Sequence, residues 1–266
     1  MKTLKLESTG GRDLDLLCQL LGVDSRENFD SDLDSVVKSF QESKNLLIDG
    51  VVGYNSWKAI ILSYREKYQN YNSITEWDYD MFSQLLGCES ACLKAVQKVE
   101  TGGKGGFEDN GKPQILFEGH VFYRELKAIG QDVATLMESH PNIIYPKWTK
   151  GKYYGGVREW SRFEEAKSIS ESCAIKSASW GMFQIMGNNY KTCGCKTISE
   201  FYDLMCKNQF SQFMLGMEFL KKSNLVQHLA SKNWSAFARG YNGPGYAENR
   251  YDTKLRDAYL KFSKSI

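Results

Sequence analysis

Gly102, Gly103, Gly105 and Gly106 crowd into one short run of the chain, VETGGKGGF. Glycine opposes helix continuation and permits left-handed turns, so a regular element must stop there. The residues before it, ACLKAVQKVET, place Leu93, Val96 and Glu100 at i, i+3 and i+7, which is one helical face. A carboxylate therefore ends a helix on the side that its apolar neighbours turn inward. After the glycines, GGFEDNGKPQILF holds two short β-capable runs about Asn110-Gly111, the pattern of a hairpin.

An acid at an apolar helix end has its pKa raised by desolvation, and a hairpin beside it would wall a cleft. Those are the two parts that acid-catalysed cleavage of a glycosidic bond requires. An ordinary helix C-terminus whose Glu reaches solvent has the same local pattern, so the decision rests on the rest of the chain.

Composition removes several function classes. The net charge of +2 over 266 residues leaves no nucleic-acid footprint. No apolar run is long enough to span a membrane. The N-terminus, MKTLKLESTGGRDLDLLCQLLG, is interrupted by charge and lacks the core of a secretory signal, which predicts synthesis in a cytoplasm and exit by another route. The seven cysteines form no small disulfide framework, and none of His120, His140 and His228 lies at zinc-ligand spacing to a cysteine pair. Free thiols, no metal and no cofactor are expected, and no glycine-rich phosphate loop follows a strand.

Arg12 to about Tyr68 carries a three-helix pattern. DLDLLCQLLG is an amphipathic helix stopped by Gly22. FDSDLDSVVKSFQ has Ser31 and Asp34 in capping-box order, with Leu33, Val36, Val37 and Phe40 on one face. Asn55 or Ser56 can cap a third helix with Trp57, Ile60, Ile61 and Tyr64. A short, partly helical join follows near residue 70, then a helix from Thr75 to Leu86 ended by Gly87. FEGHVFYRELKAIG reads as another helix with Glu118 near its start, where the helix dipole favours a carboxylate; Glu118 also suits a second acid across a cleft. Ser139 to Trp160 is an irregular aromatic segment, whose rings suit sugar faces or pin the loop to a core. Gln184 sits among apolar residues in SASWGMFQIMGNNY and must bond to backbone or to a ligand. Asp109 serves the hairpin turn and Glu159 an exposed helix start. Phe201 to Leu229 reads as core helices, and Trp234 to Tyr251 as a helix before a Tyr-Asn-Gly-Pro-Gly break.

Two resemblances organise these segments. FDSDLDSVVKSFQESKNLLIDGVVGYNSW resembles the peptidoglycan-binding domain found beside wall-degrading enzymes, with Asp49, Gly50, Val52, Gly53 and Trp57 matching its signature. Trp57 reads as core or as a sugar platform, and Asp49-Gly50 as a turn. VETGGKGGF, PQILFEGHVFYREL, SASWGMFQIMGNNY and ARGYNGPGYAENRY, in this order, resemble the phage endolysin muramidase family and more loosely the lysozyme and lytic transglycosylase superfamily. Thr101 departs from the wider superfamily, where serine commonly follows the Glu.

The resemblance implies a mainly α (α+β) chain: a three-helix binding domain at 1–70 and a lysozyme-like catalytic domain with a small β-hairpin at 71–266. It implies Glu100 as general acid, Glu118 as second carboxylate, Thr101 and Gln184 in the cleft, and Tyr241 and Asn242 orienting Glu100 or the sugar. The expected reaction is hydrolysis of the β-1,4 bond between N-acetylmuramic acid and N-acetylglucosamine in peptidoglycan, by a monomer released through a holin-type route to act in the periplasm. The same acid and cleft serve a lytic transglycosylase that forms 1,6-anhydro ends. A non-catalytic wall-binding protein with a lysozyme-like fold is the reading of another class.

Overall fold

The computed structural model describes residues 1–69 and 73–264. It divides into two compact units, each with its own core. No helix among the described residues is long and apolar enough to cross a membrane.

The first unit holds α1 (Arg12–Leu21), α2 (Ser31–Ser43), α3 (Tyr54–Tyr68) and α4 (Glu76–Leu86). The three expected helices are present, with small shifts at their starts. Asp30, not Ser31, caps α2 by accepting from Leu33 N. Gly53 stands at the N-cap of α3, and the Ser56 hydroxyl donates instead to Val51 O. The fourth helix departs from the expected boundary near residue 70, because residues 75–87 belong to this unit. Asp78, fully buried, accepts from Arg65 Nε at 2.5 Å and from Thr75 N at 2.8 Å, which ties α4 to α3. Arg65 Nη2 reaches the second carboxylate oxygen, Asp78 Oδ2, at 3.3 Å. The units therefore change over at Gly87–Cys88. The short join expected near residue 70 lies at 70–72, outside the described residues.

Of the signature residues of this unit, Gly50, Val52 and Trp57 are buried, Gly53 is half-buried and Asp49 is exposed. Gln41, 1 % exposed, donates to Asp49 Oδ1 and Val51 O and accepts from Gly50 N. Val52 is buried and bridges Leu4. Trp57 is a core residue whose indole N–H donates to Lys2 O at 2.8 Å.

The second unit starts with α5 (Ser90–Thr101). Ala91, Cys92, Leu93, Ala95 and Val96 are buried along it, and Gly102 ends it in the left-handed region at φ 62°. The helix packs mainly against α14 (Tyr251–Ser263), the last of the chain. Between them run α6 (Gly119–Ala128), α7 (Val133–Ser139), α8 (Glu159–Ile169), α9 (Glu171–Lys176), α10 (Ile198–Lys207), α11 (Gln209–Lys222), α12 (Val226–Ala230) and α13 (Trp234–Asn242). The sheet is antiparallel and three-stranded, in the order β1 (Ile115–Phe117), β2 (Ala178–Trp180), β3 (Ile185–Met186).

The sheet revises the expected hairpin. The Asn110-Gly111 turn forms, with Glu108 N donating to Lys112 O, but its two arms share a single bridge, Phe107 to Pro113. Ile115–Phe117 pairs instead with the distant Ala178–Trp180. The reason is burial: β2 is buried along its whole length, and Trp180 packs edge-on to Trp160, Phe163 and Tyr202. The long-range partner offers that aromatic core, whereas the local arm, GGFED, is polar and rich in glycine.

Candidate functional site

Glu100 occupies the penultimate position of α5, one residue before Thr101. It is partly buried, and burial lifts its carboxyl from the ordinary 4.5 to about 7, against the smaller lowering effect of one hydrogen bond. That bond comes from the Tyr251 hydroxyl, which donates to Glu100 Oε1. Tyr251 is the first residue of α14 and is placed by Arg250, whose backbone is left-handed at φ 51°. Its ring stacks on Tyr241 at 6.3 Å between centroids. Tyr241 in turn donates its hydroxyl to Phe183 O at 2.5 Å and stacks on Phe237. Tyr241 thus braces the tyrosine that holds Glu100, and makes no hydrogen bond to the acid itself.

Thr101 and Gln184 are tied to backbone. The Thr101 hydroxyl donates to Gln97 O at 3.0 Å and accepts from Gly103 N, closing the helix end. Gln184, at φ 44°, donates through Nε2 to Gly181 O at 2.9 Å and Gln114 O at 3.3 Å. Its turn, 181–183, packs against α5. Asn242 is exposed at the end of α13.

The sequence did not mark Gln212, which fixes this turn to the glycine run. It is 1 % exposed, accepts from Met182 N at 3.0 Å and donates to Gly106 O at 3.2 Å and Met205 O at 2.8 Å. Gly181, at φ 66°, has no room for a Cβ, which would fall 2.6 Å from the Gln212 side chain. An isolated Gln in a helical apolar run carries no periodic signal, so only the fold reveals it.

Glu118 heads a separate cluster and shares no hydrogen-bond partner with Glu100. It stands at the N-cap of α6 but caps nothing with its side chain. Tyr153 donates to its Oε2 at 2.5 Å. Desolvation raises its pKa, and the lowering effects of Tyr153 and of the Arg162 charge do not reverse this. Burial thus sets the direction of the shift, ahead of the hydrogen bond and the nearby cation. His120 Nδ1 lies 3.3 Å from Glu118 Oε2 without the geometry of a hydrogen bond.

Glu159, read from the sequence as an exposed helix start, is fully buried. It accepts from Phe117 N, Tyr154 N, Gly155 N and Arg162 Nη1, the last at 2.7 Å. Arg162 also donates to Phe117 O, Asn142 O and Tyr145 Oη. The pair is structural: it ties β1 to the aromatic loop. Gly119 is required by the same packing, since a Cβ there would meet the Tyr145 ring at 2.3 Å. Asp109 is exposed at its turn.

All seven cysteines are unpaired. Burial raises Cys92, Cys195 and Cys206 to about 11, so these thiols are protonated at neutral pH and are weak nucleophiles. Among the described residues no three His, Cys, Asp or Glu side chains gather where they could hold a metal ion.

The crystal structure of the Burkholderia AP3 phage endolysin is similar to this chain, with 32 % sequence identity, coverage of 99 % of this chain and 100 % of that one, and a TM-score of 0.64. Among curated proteins none matches. The Muramidase family, described as N-acetylmuramidase, matches residues 89–263, which include α5, Glu100, Glu118 and Tyr251. The chain belongs to the N-acetylmuramidase family.

Proposed function

We propose that this chain is a phage-type endolysin that hydrolyses the β-1,4 bond between N-acetylmuramic acid and N-acetylglucosamine in peptidoglycan, with Glu100 as general acid. The observation that carries the reading is the helix-end carboxyl of Glu100, desolvated to about 7 and held by a single tyrosine hydroxyl. An acid with a pKa near the working pH is both protonated and able to release its proton. Glu100 donates to the glycosidic oxygen as an oxocarbenium-like sugar forms. Glu118 is the second carboxylate and prepares water on the other face. Gln184 and Asn242 contact the sugar, while Thr101 and Tyr241 shape the acid's surroundings from behind. The first unit holds the enzyme on murein, its Asp49, Gly50, Val52, Gly53 and Trp57 acting as the frame of a binding surface. The same reading includes a monomer, no cofactor, and release by a holin-type route into the periplasm.

Mass spectrometry of digested murein tests the reaction. Reducing muramic acid ends with intact peptide stems are the expected product. Anhydro-muramic ends would assign a lytic transglycosylase, and released stem peptides would overturn glycan cleavage altogether. Glu100→Gln should lower the rate by at least about 10²-fold, the lower end of what a positioned acid contributes. A folded Glu100→Gln protein with near wild-type cleavage would falsify the assignment of the acid.

A further inference from the structure

The buried amide of Gln212 uses all of its hydrogen-bonding groups. Oε1 accepts from Met182 N, while Nε2 donates to both Gly106 O and Met205 O. A flipped amide would set its oxygen against two carbonyls, so the orientation is fixed. These bonds close a circuit beyond the end of α5. Gln114 N donates to Gly106 O at 2.9 Å, and Gly181 N, next to Met182, donates to Gln114 O at 2.8 Å. Neither Gly106 nor Gly181 has room for a Cβ, which would overlap the Gln212 amide. The turn 181–183 has two further attachments. It packs on α5, and Phe183 O takes the hydroxyl of Tyr241, whose ring stacks on Tyr251. Tyr251 holds Glu100. Gln212 thus reaches the support of the acid through one turn of backbone.

We propose that Gln212 is a positioning residue for the cleavage reaction: by clamping the 181–183 turn on α5, it fixes the Tyr241–Tyr251 pair that orients Glu100 and keeps water from the carboxyl. The proposal rests on the reading of Glu100 as the general acid. Methionine in place of Gln212 fills a similar volume but leaves Met182 N without its acceptor and removes one donor each from Gly106 O and Met205 O. Buried groups deprived of a partner draw the segment toward water. The groups that act on Glu100 are Tyr251 from α14 and Tyr241 from α13, both kept neutral by burial. The turn itself carries no ionisable side chain, and no charged side chain among the described residues contributes to the shift of Glu100. Loosening the turn therefore acts on the acid by hydration, which favours its ionised form.

The test uses the full chain and solubilised murein glycan strands, with circular dichroism to show that each variant is folded at the assay temperature. Gln212→Met should lower kcat at least about tenfold, within the roughly 10²-fold that a misplaced group can cost, while KM stays within about twofold. Its alkaline limb of kcat/KM should lie at lower pH than the wild-type limb near 7, since the carboxyl has gained water. If Gln212→Met does not fold, Gln212→Glu takes its place, because it keeps the acceptor for Met182 N and gives up only donors; the same two changes are required of it. Tyr241→Phe frees Phe183 O from its hydroxyl and should move the limb in the same direction. Phe163→Leu, in the aromatic core of this unit, should lower the melting temperature and leave the limb in place. A folded Gln212 variant with wild-type kcat and limb, an unmoved limb in Tyr241→Phe, or an equal shift in Phe163→Leu overturns the proposal. Glu100→Gln is measured in parallel. If it keeps the wild-type rate, the reading of the acid fails; if it is inactive while Gln212→Met is not slowed, the positioning role alone fails.

Discussion

At the scale of single residues, two environments act on Glu100 in opposite directions. Burial raises its pKa and the Tyr251 hydroxyl lowers it, with burial the larger. Tyr251→Phe removes only the lowering contribution. The acid then holds its proton to a higher pH, so the alkaline limb of kcat/KM should move up from about 7. The rate should fall as well, since the carboxyl loses the group that orients it. A limb that stays in place would show that Tyr251 does not hold Glu100 in solution. The same shift has a stability consequence. The folded pKa lies above the unfolded one, so the contribution of Glu100 to stability is fully present below about 4.3, fades as pH rises, and is gone above about 7. Glu100→Gln has no proton to lose. Its Tm relative to wild type should therefore improve between pH 4 and pH 8, by roughly 5–10 °C if the whole shift is expressed.

At the scale of elements, short segments are joined by buried polar side chains where apolar area is too small to hold them. β1 has three residues, and its end is secured by Glu159 and Arg162 from α8. Arg162→Met leaves the Glu159 carboxylate buried without its cation. The expected cost is about 3–5 kcal/mol, seen in denaturant melts, because a stranded charge loses more than the intact pair contributes. Because the same pair fixes Tyr154 and Gly155, the variant should also lose order in the aromatic loop. Replacement by methionine with no measurable loss would mean that the pair is not what secures this end of the sheet.

At the scale of the whole molecule, the Gly87–Cys88 changeover decides where the chain can be cut. A cut near residue 74 would carry α4 away with the second unit and strip Met81, Phe82 and Leu85 of their own core. Residues 88–266 should instead fold, since that unit buries its own apolar faces. This fragment should cleave soluble glycan at close to the full-length rate, yet sediment less with insoluble murein. Equal sedimentation would remove the wall-binding role from the first unit.

Local pattern determined much of this protein. The helix that carries Glu100 at its end turn, the glycine run after it and the three amphipathic helices of the first unit follow from side-chain period and turn chemistry alone. The order of the four motifs pointed to the muramidase family before any contact was known. Tertiary structure decided what period cannot express. Tyr251 ends the segment ARGYNGPGYAENRY, 151 positions from the acid it holds, so their pairing is a matter of how α14 packs on α5. Glu159 has the composition of an exposed helix start, and only the fold surrounds it with four donors. Ile115–Phe117 had a near partner and took a distant one, because the distant strand supplied the aromatic core. Local sequence sets which conformations are cheap, while burial, which depends on every other element, chooses among them.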